Sequence, residues 1–579
     1  MDVKSIETEI LVLGGGLAGA FAAIKAKESG AENVTVVSRG KLGKDCVSAF
    51  AAGMYAMAAA PEDDKEELFK RAAVTDDYGA GLFDHSWLEV AMDEEYERAV
   101  DMDKYGVEWE KTPDGKFERV FMRSGFGMAA MFHGTQMMEA MAKKVINIGI
   151  QVIGYTMVTD LLTANGKPDG QVIGAVGFDI RTGEFKVFKA KATVLAIGGC
   201  SFKSRLPGGH VQSGEAFTMA YKAGAKLGRF AESEGLYVCP SDCDTHGMNM
   251  FIGLGGLFVN AEGEKFMQEY EPQLGEHASL GTISGAMAME VRAGRGPVYL
   301  DMTHFTPEDV KKLRVVIPHA ALRLERAGII VGDRIIKKME YSAFFYGIMG
   351  EAGGIITNIK CETSLPGLYV CGDAMAQSRV PPNALPGAAV SGARAGKFAA
   401  AYATKARESN IGEEQVEELK NSAFAPLERK NGIEPDHIII GVNEVINRSE
   451  VTIISRGDGL KKAIEEIERI REEEVPPLYA SDPHHLMMAN EAKSIVLVAE
   501  MYLRSRLLRE DSRNLFLRED FPYTDNVNWL KWTMLKQEED KMKLWTEDIP
   551  IGKYKVKPRI ERYLCPIFEV AKRRGVKWG

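Results

Sequence analysis

Apolar positions along the chain fall into runs that alternate between the period of a strand and that of a helix. The first run, TEILVLGGGLAGAFAAIKA, is a buried strand that ends in Gly14-x-Gly16-x-x-Gly19 and passes into a helix of small residues. A second strand, ENVTVVSRG, stops at Ser38-Arg39. Two later buried-strand runs also end in glycine: ATVLAIGGCSF, with Ala196, Gly198 and Gly199 at its end, and GLYVCGDAMA, which stops at Gly372-Asp373. Beyond Ala400 the texture changes to charged amphipathic helices. In GLKKAIEEIERIREEEV, Leu460, Ile464, Ile467 and Ile470 repeat at helical spacing. Asp482-Pro483 reads as the N-cap and first residue of the long helix HLMMANEAKSIVLVAEMYLRSRLL. GMAAMFHGTQMMEAM reads as a helix whose methionines fill core, and from Pro522 the pattern becomes irregular.

The glycine pattern carries a chemical reading. In a strand-to-helix turn the first glycine permits the tight turn, the second lets backbone approach a pyrophosphate, and the third lets helix pack on strand. The first helical residues, Leu17 and Ala18, then present N–H groups and the helix dipole to the phosphates. The acidic residue that would hold a ribose in an NAD site is absent. Ser38 and Arg39 stand there instead, which disfavours NAD and leaves room for an adenosine held by backbone, Ser38 and Arg39. The strand ends at Ala196 to Gly199 and at Gly372-Asp373 read as returns to the same nucleotide, with Asp373 placed to bond a ribityl chain. Three such stretches in this order make FAD the expected cofactor. The expected fold class is α/β (α+β overall), centred on a Rossmann-like FAD-binding domain.

These stretches, together with KTPDGKF (Lys111 to Phe117), HGT (His133 to Thr135), SGEAFTMAYKAGA, GLGGLFVNAEGEKFMQEY, GPVYLDMTHF and REDFPYTDNVNWLKW, resemble the flavoprotein subunits of the succinate dehydrogenase, fumarate reductase and adenylylsulfate reductase superfamily over nearly the whole chain. The adenylylsulfate reductase alpha subunit is the most similar branch, through KTPDGKF, GAVGFDIRTGEFKVFKAKATVLAIGG and AFAPLERK. The resemblance implies a discontinuous FAD-binding domain at 1–232 and 341–408, an inserted capping domain at 233–340, a C-terminal helical domain at 409–520 and a C-terminal segment at 521–579. It implies a flavin-wrapping loop holding Cys46, Val47, Ser48, Ala49 and Gly53, and a helix under the ring that opens at Gly387-Ala388, with Asn383 just before it. It also implies a ferredoxin-like iron–sulfur partner subunit, because this chain holds no cysteine-rich cluster motif, and a dimer of heterodimers as a candidate assembly.

The departures from the family pattern narrow the chemistry. Cys46 falls where the membrane-bound succinate and fumarate enzymes carry the histidine joined to FAD, and the loop has no histidine, so FAD is expected to be non-covalent. Leu280 stands near the cap arginine that donates a proton in the dicarboxylate enzymes, and Cys239 and Met349 stand near two of their histidines. Apolar groups cannot neutralise two carboxylates, and an unpaired buried charge costs several kcal/mol. Fumarate and succinate are therefore disfavoured as substrates. A histidine stretch of the adenylylsulfate enzymes is shortened here to GEAGG, which puts that reaction in doubt too. The candidate catalytic groups that remain are His210, Arg379, Glu351, Tyr346 and His133. His210 is either a base or a hydrogen-bonding strut, Arg379 an anion clamp or a solvated loop residue, and Glu351 an acid–base group or a turn cap. Cys239, Cys243 and His246 lack an evident fourth ligand, so no metal site is expected. The reading is an oxidoreductase that exchanges two electrons with a small polar or anionic substrate beneath the cap and single electrons with the iron–sulfur subunit. A rearranged adenylylsulfate reductase, a fumarate reductase-like enzyme and a non-catalytic electron-transfer flavoprotein stand as alternatives.

Composition agrees. A chain of 579 residues with 45% hydrophobic and 27% charged residues buries a large core in more than one domain. Seven scattered cysteines give no disulfide framework, and a net charge of −10 argues against nucleic acid as a partner. No apolar run is fit to span a bilayer and MDVKSIETEI is too acidic and polar for a signal peptide, so the expected location is cytoplasmic.

Overall fold

A computed structural model of the chain describes residues 5–576 and 578, except 52, 75–80, 83, 122–127, 165, 205–207, 233–239, 246, 342–352, 377–383, 408–409 and 514–515. The Val/Ile/Leu-rich runs near the N-terminus form strands β1 (Ser5–Leu13) and β2 (Val34–Val37), joined by helix α1 (Leu17–Glu28). β-branched side chains fit a pleated, covered surface, and all four residues of β2 and the last four of β1 are buried. β1 pairs in parallel with β2 on one side and with Phe185–Leu195 on the other. Gln151–Ile153 extends the sheet beyond β2, and Val172–Asp179 and Thr156–Thr163 extend it antiparallel beyond Phe185–Leu195. Leu368–Val370 completes the seven-stranded sheet by pairing in parallel with the C-terminal half of Phe185–Leu195.

α1 shows no polar stripe, because it is covered by the sheet and by the helix Leu385–Ala403. Every residue from Leu17 to Ile24 is buried. The two helices meet at backbone distance: a Cβ on Gly392 would lie 2.3 Å from the Ala18 carbonyl oxygen, and one on Gly396 2.1 Å from that of Ala22. Small residues on both faces are what this crossing requires.

The segment between the second and third FAD stretches carries its own antiparallel sheet, Leu257–Val259, Val298–Asp301 and Met339–Tyr341, with helices Leu280–Glu290, Pro307–Val316 and Pro318–Arg326. Thr306 and Asp309 close a capping box on Pro307–Val316, whose last carbonyl would lie 2.2 Å from a Cβ on Gly53. That contact is the seam between this segment and the N-terminal loops.

The amphipathic runs after Ala400 are helices, among them Pro435–Ile446, Gly457–Arg469 and Pro483–Leu508. Leu460, Ala463, Ile464 and Ile467 form the buried face of the second, and Asp482 caps the third by accepting from the His485 N–H at 2.9 Å. Just beyond it, Arg509 pairs with Glu232 (2.9 Å) and Asp511 (2.8 Å), and Arg513 with Asp511 (2.9 Å), all four side chains being almost wholly buried. The Lys531 and Trp529 carbonyls and the Asn526 amide oxygen accept further guanidinium protons, and the two arginines face two carboxylates, so no charge in this cluster is left unpaired.

Two sequence readings change. The methionine-rich stretch is a strand, Met128–Met131, and then a helix, Gly134–Asn147, broken at His133; Met131, Met137, Met138 and Met141 are buried as expected of core filler. The segment after Pro522 is not irregular: Lys531–Glu538 and Lys541–Asp548 form a hairpin, Tyr523–Asp525 pairs with Arg562–Leu564, and Pro566–Arg573 is a helix. Arg574, at the end of that helix, binds Glu264 (2.7 Å) and Glu290 (2.9 Å) of the inserted segment. Among the described residues no helix is long and apolar enough to cross a membrane.

Candidate cofactor and active site

Three strand ends lie side by side. Leu13 is in register with Leu195, and Leu195 with Val370. The Ala196 N–H donates to Leu13 (2.7 Å) and the Cys371 N–H to Leu195 (3.1 Å), so the chain leaves the sheet at Gly14, Ala196 and Gly372 along one rim. Gly14 has φ +120°, and a Cβ there would lie 2.2 Å from the Ala196 carbonyl oxygen; one on Gly19 would lie 2.0 Å from that of Gly14. Both glycines are therefore demanded by packing. Gly16 is different. A Cβ on it would meet nothing closer than Cys46 at 3.4 Å and Ser48 at 3.6 Å, so the space it leaves faces a cleft.

That cleft is partly enclosed and partly open to solvent. Gly14, Gly16, Leu17, Ala18, Ser38, Arg39, Cys46, Val47, Ser48, Ala196, Gly198, Gly372, Asp373 and Ala388 line it, which brings together residues from all the expected stretches. Gly19, Ala49, Gly53, Gly199 and Gly387 do not line it. Gly19 packs α1 on β1, and Gly53 makes the seam with Val316. Asn383 lies outside the described residues. α1 opens at Gly16 with neither an acidic residue nor a side-chain cap on its first turn. The Ser48 hydroxyl accepts from the Leu17 N–H at 3.3 Å, and Leu17 and Ala18 line the cleft.

Several lining residues were not foreseen: Asp45, Gln212, Glu215 and the strand start Thr156, Met157 and Val158. Gln212 lies just ahead of the helix that Glu215 opens, and nothing in QSGEA marks it as a wall of this cleft. The Thr156 start carries no chemical signal at all. Asp373 takes a bond from the Gln212 amide at 3.2 Å, yet burial pushes its carboxyl up to about 6. Glu215 is buried, its pKa is raised by desolvation against the pull of Arg39, and its Oε1 has no hydrogen-bond partner. Ser38 spends its hydroxyl proton on the Gly40 carbonyl at 2.8 Å. Arg39 is held by Asp45 (3.1 Å), Glu491 (2.5 Å) and the Val211 carbonyl (2.9 Å), which fixes its guanidinium against the cleft wall. Burial pushes the Cys46 thiol up to about 12.

Of the catalytic candidates, His210 and His133 are described; Arg379, Glu351 and Tyr346 lie outside the described residues, as do Cys239, His246 and Met349. His210 is beside the cleft, in the turn Gly209–Val211, edge-on to Phe50 with ring centroids 5.5 Å apart. Phe50 also faces His319 of the inserted segment at 6.4 Å. Desolvation, helped by Arg39 and Lys203, lowers the His210 pKa against the opposing charge of Asp45, so its imidazole is neutral at pH 7. His133 is elsewhere, clamped between Glu108 and Glu110 at 3.0 Å each, and its geometry is that of a strut at the start of Gly134–Asn147. Leu280 is fully buried in the first turn of Leu280–Glu290. The aromatics of NWLKW are engaged within the protein: the Trp532 indole donates to the Leu82 carbonyl, and Arg509 lies over the Trp529 ring.

FAD fits this donor set. The open start of α1 suits a diphosphate. Asp373, desolvated and holding the Gln212 amide as one donor, keeps acceptor capacity that a ribose or ribityl hydroxyl would fill. Comparisons agree. Residues 9–390 match the FAD binding domain family and residues 444–563 match the fumarate reductase flavoprotein C-terminal family. The chain is 28% identical over 566 residues to one of the subunits of the fumarate reductase (CoM/CoB) of Methanothermobacter marburgensis, covering 93% of this chain and 98% of that one. A similar match, also 28% over 566 residues, is to an uncharacterized FAD-dependent oxidoreductase of Methanocaldococcus jannaschii, covering 94% and 98%. In fold it is similar to an E. coli quinol fumarate reductase variant (TM-score 0.82, 22% identity, 96% and 99% covered) and to the adenylylsulfate reductase of Archaeoglobus fulgidus (0.79, 22%, 96% and 97%). The chain thus belongs to the FAD-binding flavoprotein family of the fumarate reductase and succinate dehydrogenase subunits, and it is an FAD-dependent oxidoreductase.

Proposed function

We propose that the chain is the catalytic flavoprotein subunit of an enzyme that exchanges two electrons with a small polar or anionic substrate beneath the inserted segment, and single electrons with an iron–sulfur subunit, in the cytoplasm. The observation that carries this reading is the convergence of three strand ends on one cleft, lined also by Cys46, Val47 and Ser48 of the loop that leads to Gly53 and its seam with Val316. Bound FAD supplies the step between two-electron and one-electron chemistry. The protein's own groups do the rest. The α1 N–H groups bind the diphosphate, Asp373 accepts from a sugar hydroxyl, and the helix starting at Leu385, which lacks a side-chain cap, favours negative charge near Ala388. The inserted segment excludes water from the reacting edge. Neutral His210 holds or moves a proton at its imidazole, and Arg379 binds an anionic group through its fork.

The match to a CoM/CoB fumarate reductase favours a second reading, fumarate reduction, against which stands the apolar Leu280. Anaerobic oxidation of reduced viologen by the purified protein, with fumarate, adenylylsulfate and other small anions as acceptors, separates the two. The expected result is turnover with an anion other than fumarate; brisk fumarate reduction overturns the first reading. Purification from the native host should bring down a small iron–sulfur subunit, and full activity in the lone chain would remove that part of the proposal.

A further inference from the structure

Glu491 lies on the long helix Pro483–Leu508, far along the chain from the nucleotide stretches, and its carboxylate is 1% exposed. It is satisfied entirely by groups from the N-terminal half. One oxygen accepts from Arg39 Nη1 at 2.5 Å and from the Ser213 hydroxyl at 3.2 Å, and the other takes the Lys203 ammonium. Arg39 lines the cofactor cleft, whereas Glu491, Lys203 and Ser213 do not. The loop that supplies Lys203 and Ser213 also supplies Val211 and Gln212 to the cleft wall. It is pressed from behind by the C-terminal helices: a Cβ on Gly214 would lie 2.7 Å from the Val498 side chain, and Asn443 donates to the Phe202 carbonyl at 2.7 Å.

We propose that Glu491 is a positioning residue for the cofactor, acting through Arg39 and the Lys203–Ser213 loop, so that FAD retention and the seating of the C-terminal helices are thermodynamically coupled. The physical reason is that Arg39 sits among three carboxylates, with Asp45 at 3.1 Å and Glu215 at 3.7 Å besides Glu491. Without Glu491 the guanidinium loses its anchor on the side away from the cleft, and Glu215 becomes its nearest buried counter-charge. Glu215, whose Oε1 already lies 3.7 Å from Arg39 Nη1, then draws the guanidinium toward itself and shifts it along the cleft wall. Lys203 would be left as an uncompensated cation, and the loop carrying Val211 and Gln212 would lose its tie to the helix. Coupling of this kind is reciprocal: whatever Glu491 adds to FAD binding, FAD adds to the docking of the helix.

The test uses purified holoenzyme and reads FAD loss as the rise in flavin fluorescence after dilution. Glu491→Gln should release FAD at least tenfold faster than wild type. Glu500→Gln serves as the control, because Glu500 is 3% exposed on the same helix and paired with Arg471 and Arg504, outside the cleft. It should lower the melting temperature without changing the release rate. In wild type, FAD should slow hydrogen exchange in residues 486–499, and Glu491→Gln should abolish that protection. Lys203→Met provides a second variant should Glu491→Gln fail to fold; because Lys203 ties the loop that carries Val211 and Gln212 to Glu491, faster release is expected here too. Equal release rates for the Glu491 and Glu500 variants, or an unchanged rate in Lys203→Met, would overturn the proposal while leaving FAD binding itself intact.

Discussion

Asp373 is a carboxyl that burial holds up to about 6, against an ordinary value of 3.8. A group raised in the folded state favours folding below its unfolded pKa, and that contribution is lost as pH climbs through the folded one. In the FAD-free protein the loss falls between about pH 4 and pH 6. Asparagine mimics the neutral acid, so Asp373→Asn apoprotein should melt higher than wild type at pH 7.5 and level with it near pH 4; an equal offset at both would refute the assignment. The same variant should bind FAD roughly 10- to 100-fold more weakly by fluorescence titration, the worth of one charged hydrogen bond. Cys46 leads to a different expectation. Its thiol, pushed up to about 12, is no nucleophile at neutral pH, so acid precipitation should release all flavin to the supernatant, and Cys46→Ala should remain yellow. At this scale the sequence was most legible where backbone shape is the function. Gly14 and Gly19 are demanded by contacts of 2.2 and 2.0 Å that any side chain would violate. It was least legible for Glu215 and Glu491, ordinary glutamates whose meaning depends on a partner such as Arg39 brought near only by the fold.

Elements with a strong period or a cap were read correctly, as the helix after Asp482 shows. The hairpin Lys531–Glu538/Lys541–Asp548 was not, and its turn explains why. Glu539 and Asp540 both have positive φ, +49° and +59°, the conformation that Asn-Gly usually signals in a two-residue hairpin loop. Neither residue advertises it, and the strands are only partly buried, so no clean alternation appears. Replacing the pair, Glu539→Asn with Asp540→Gly, should relieve left-handed strain and stabilise the protein by about 1 kcal/mol in urea unfolding, with FAD content unchanged. A loss of stability would mean that the acidic side chains hold the turn by contacts worth more than the strain.

Across the whole molecule, Arg574 fastens the C-terminal helix to two carboxylates of the inserted segment, the half-exposed Glu264 and the buried Glu290. Glu290 is fully buried and takes hydrogen bonds from Arg295, Arg574, Asn260 and Tyr270, and these hold its pKa down to about 2 despite burial. A depressed carboxyl stabilises above its unfolded pKa, near 4.5, and that stabilisation disappears as pH falls through the folded value. Arg574→Ala should therefore cost about 2 kcal/mol at pH 7, with the deficit shrinking between pH 4.5 and 2 when the two proteins are compared by urea midpoint. A deficit that ignores pH would assign the effect to lost packing. This fastening was not legible in the sequence, since nothing in AKRRG names its partner. The late strand Leu368–Val370 has one more consequence, for the making of the protein. The half of Phe185–Leu195 that it covers is synthesised about 175 residues earlier, which at ~5–20 residues per second leaves an uncovered strand edge for roughly 9–35 seconds on the ribosome. Until then the cofactor cradle lacks its third side and the nascent sheet offers a row of unpaired amides to any neighbouring chain. FAD can be captured only after the inserted segment has emerged, so a nascent chain stalled before Leu368 should be colourless and a substrate for chaperones.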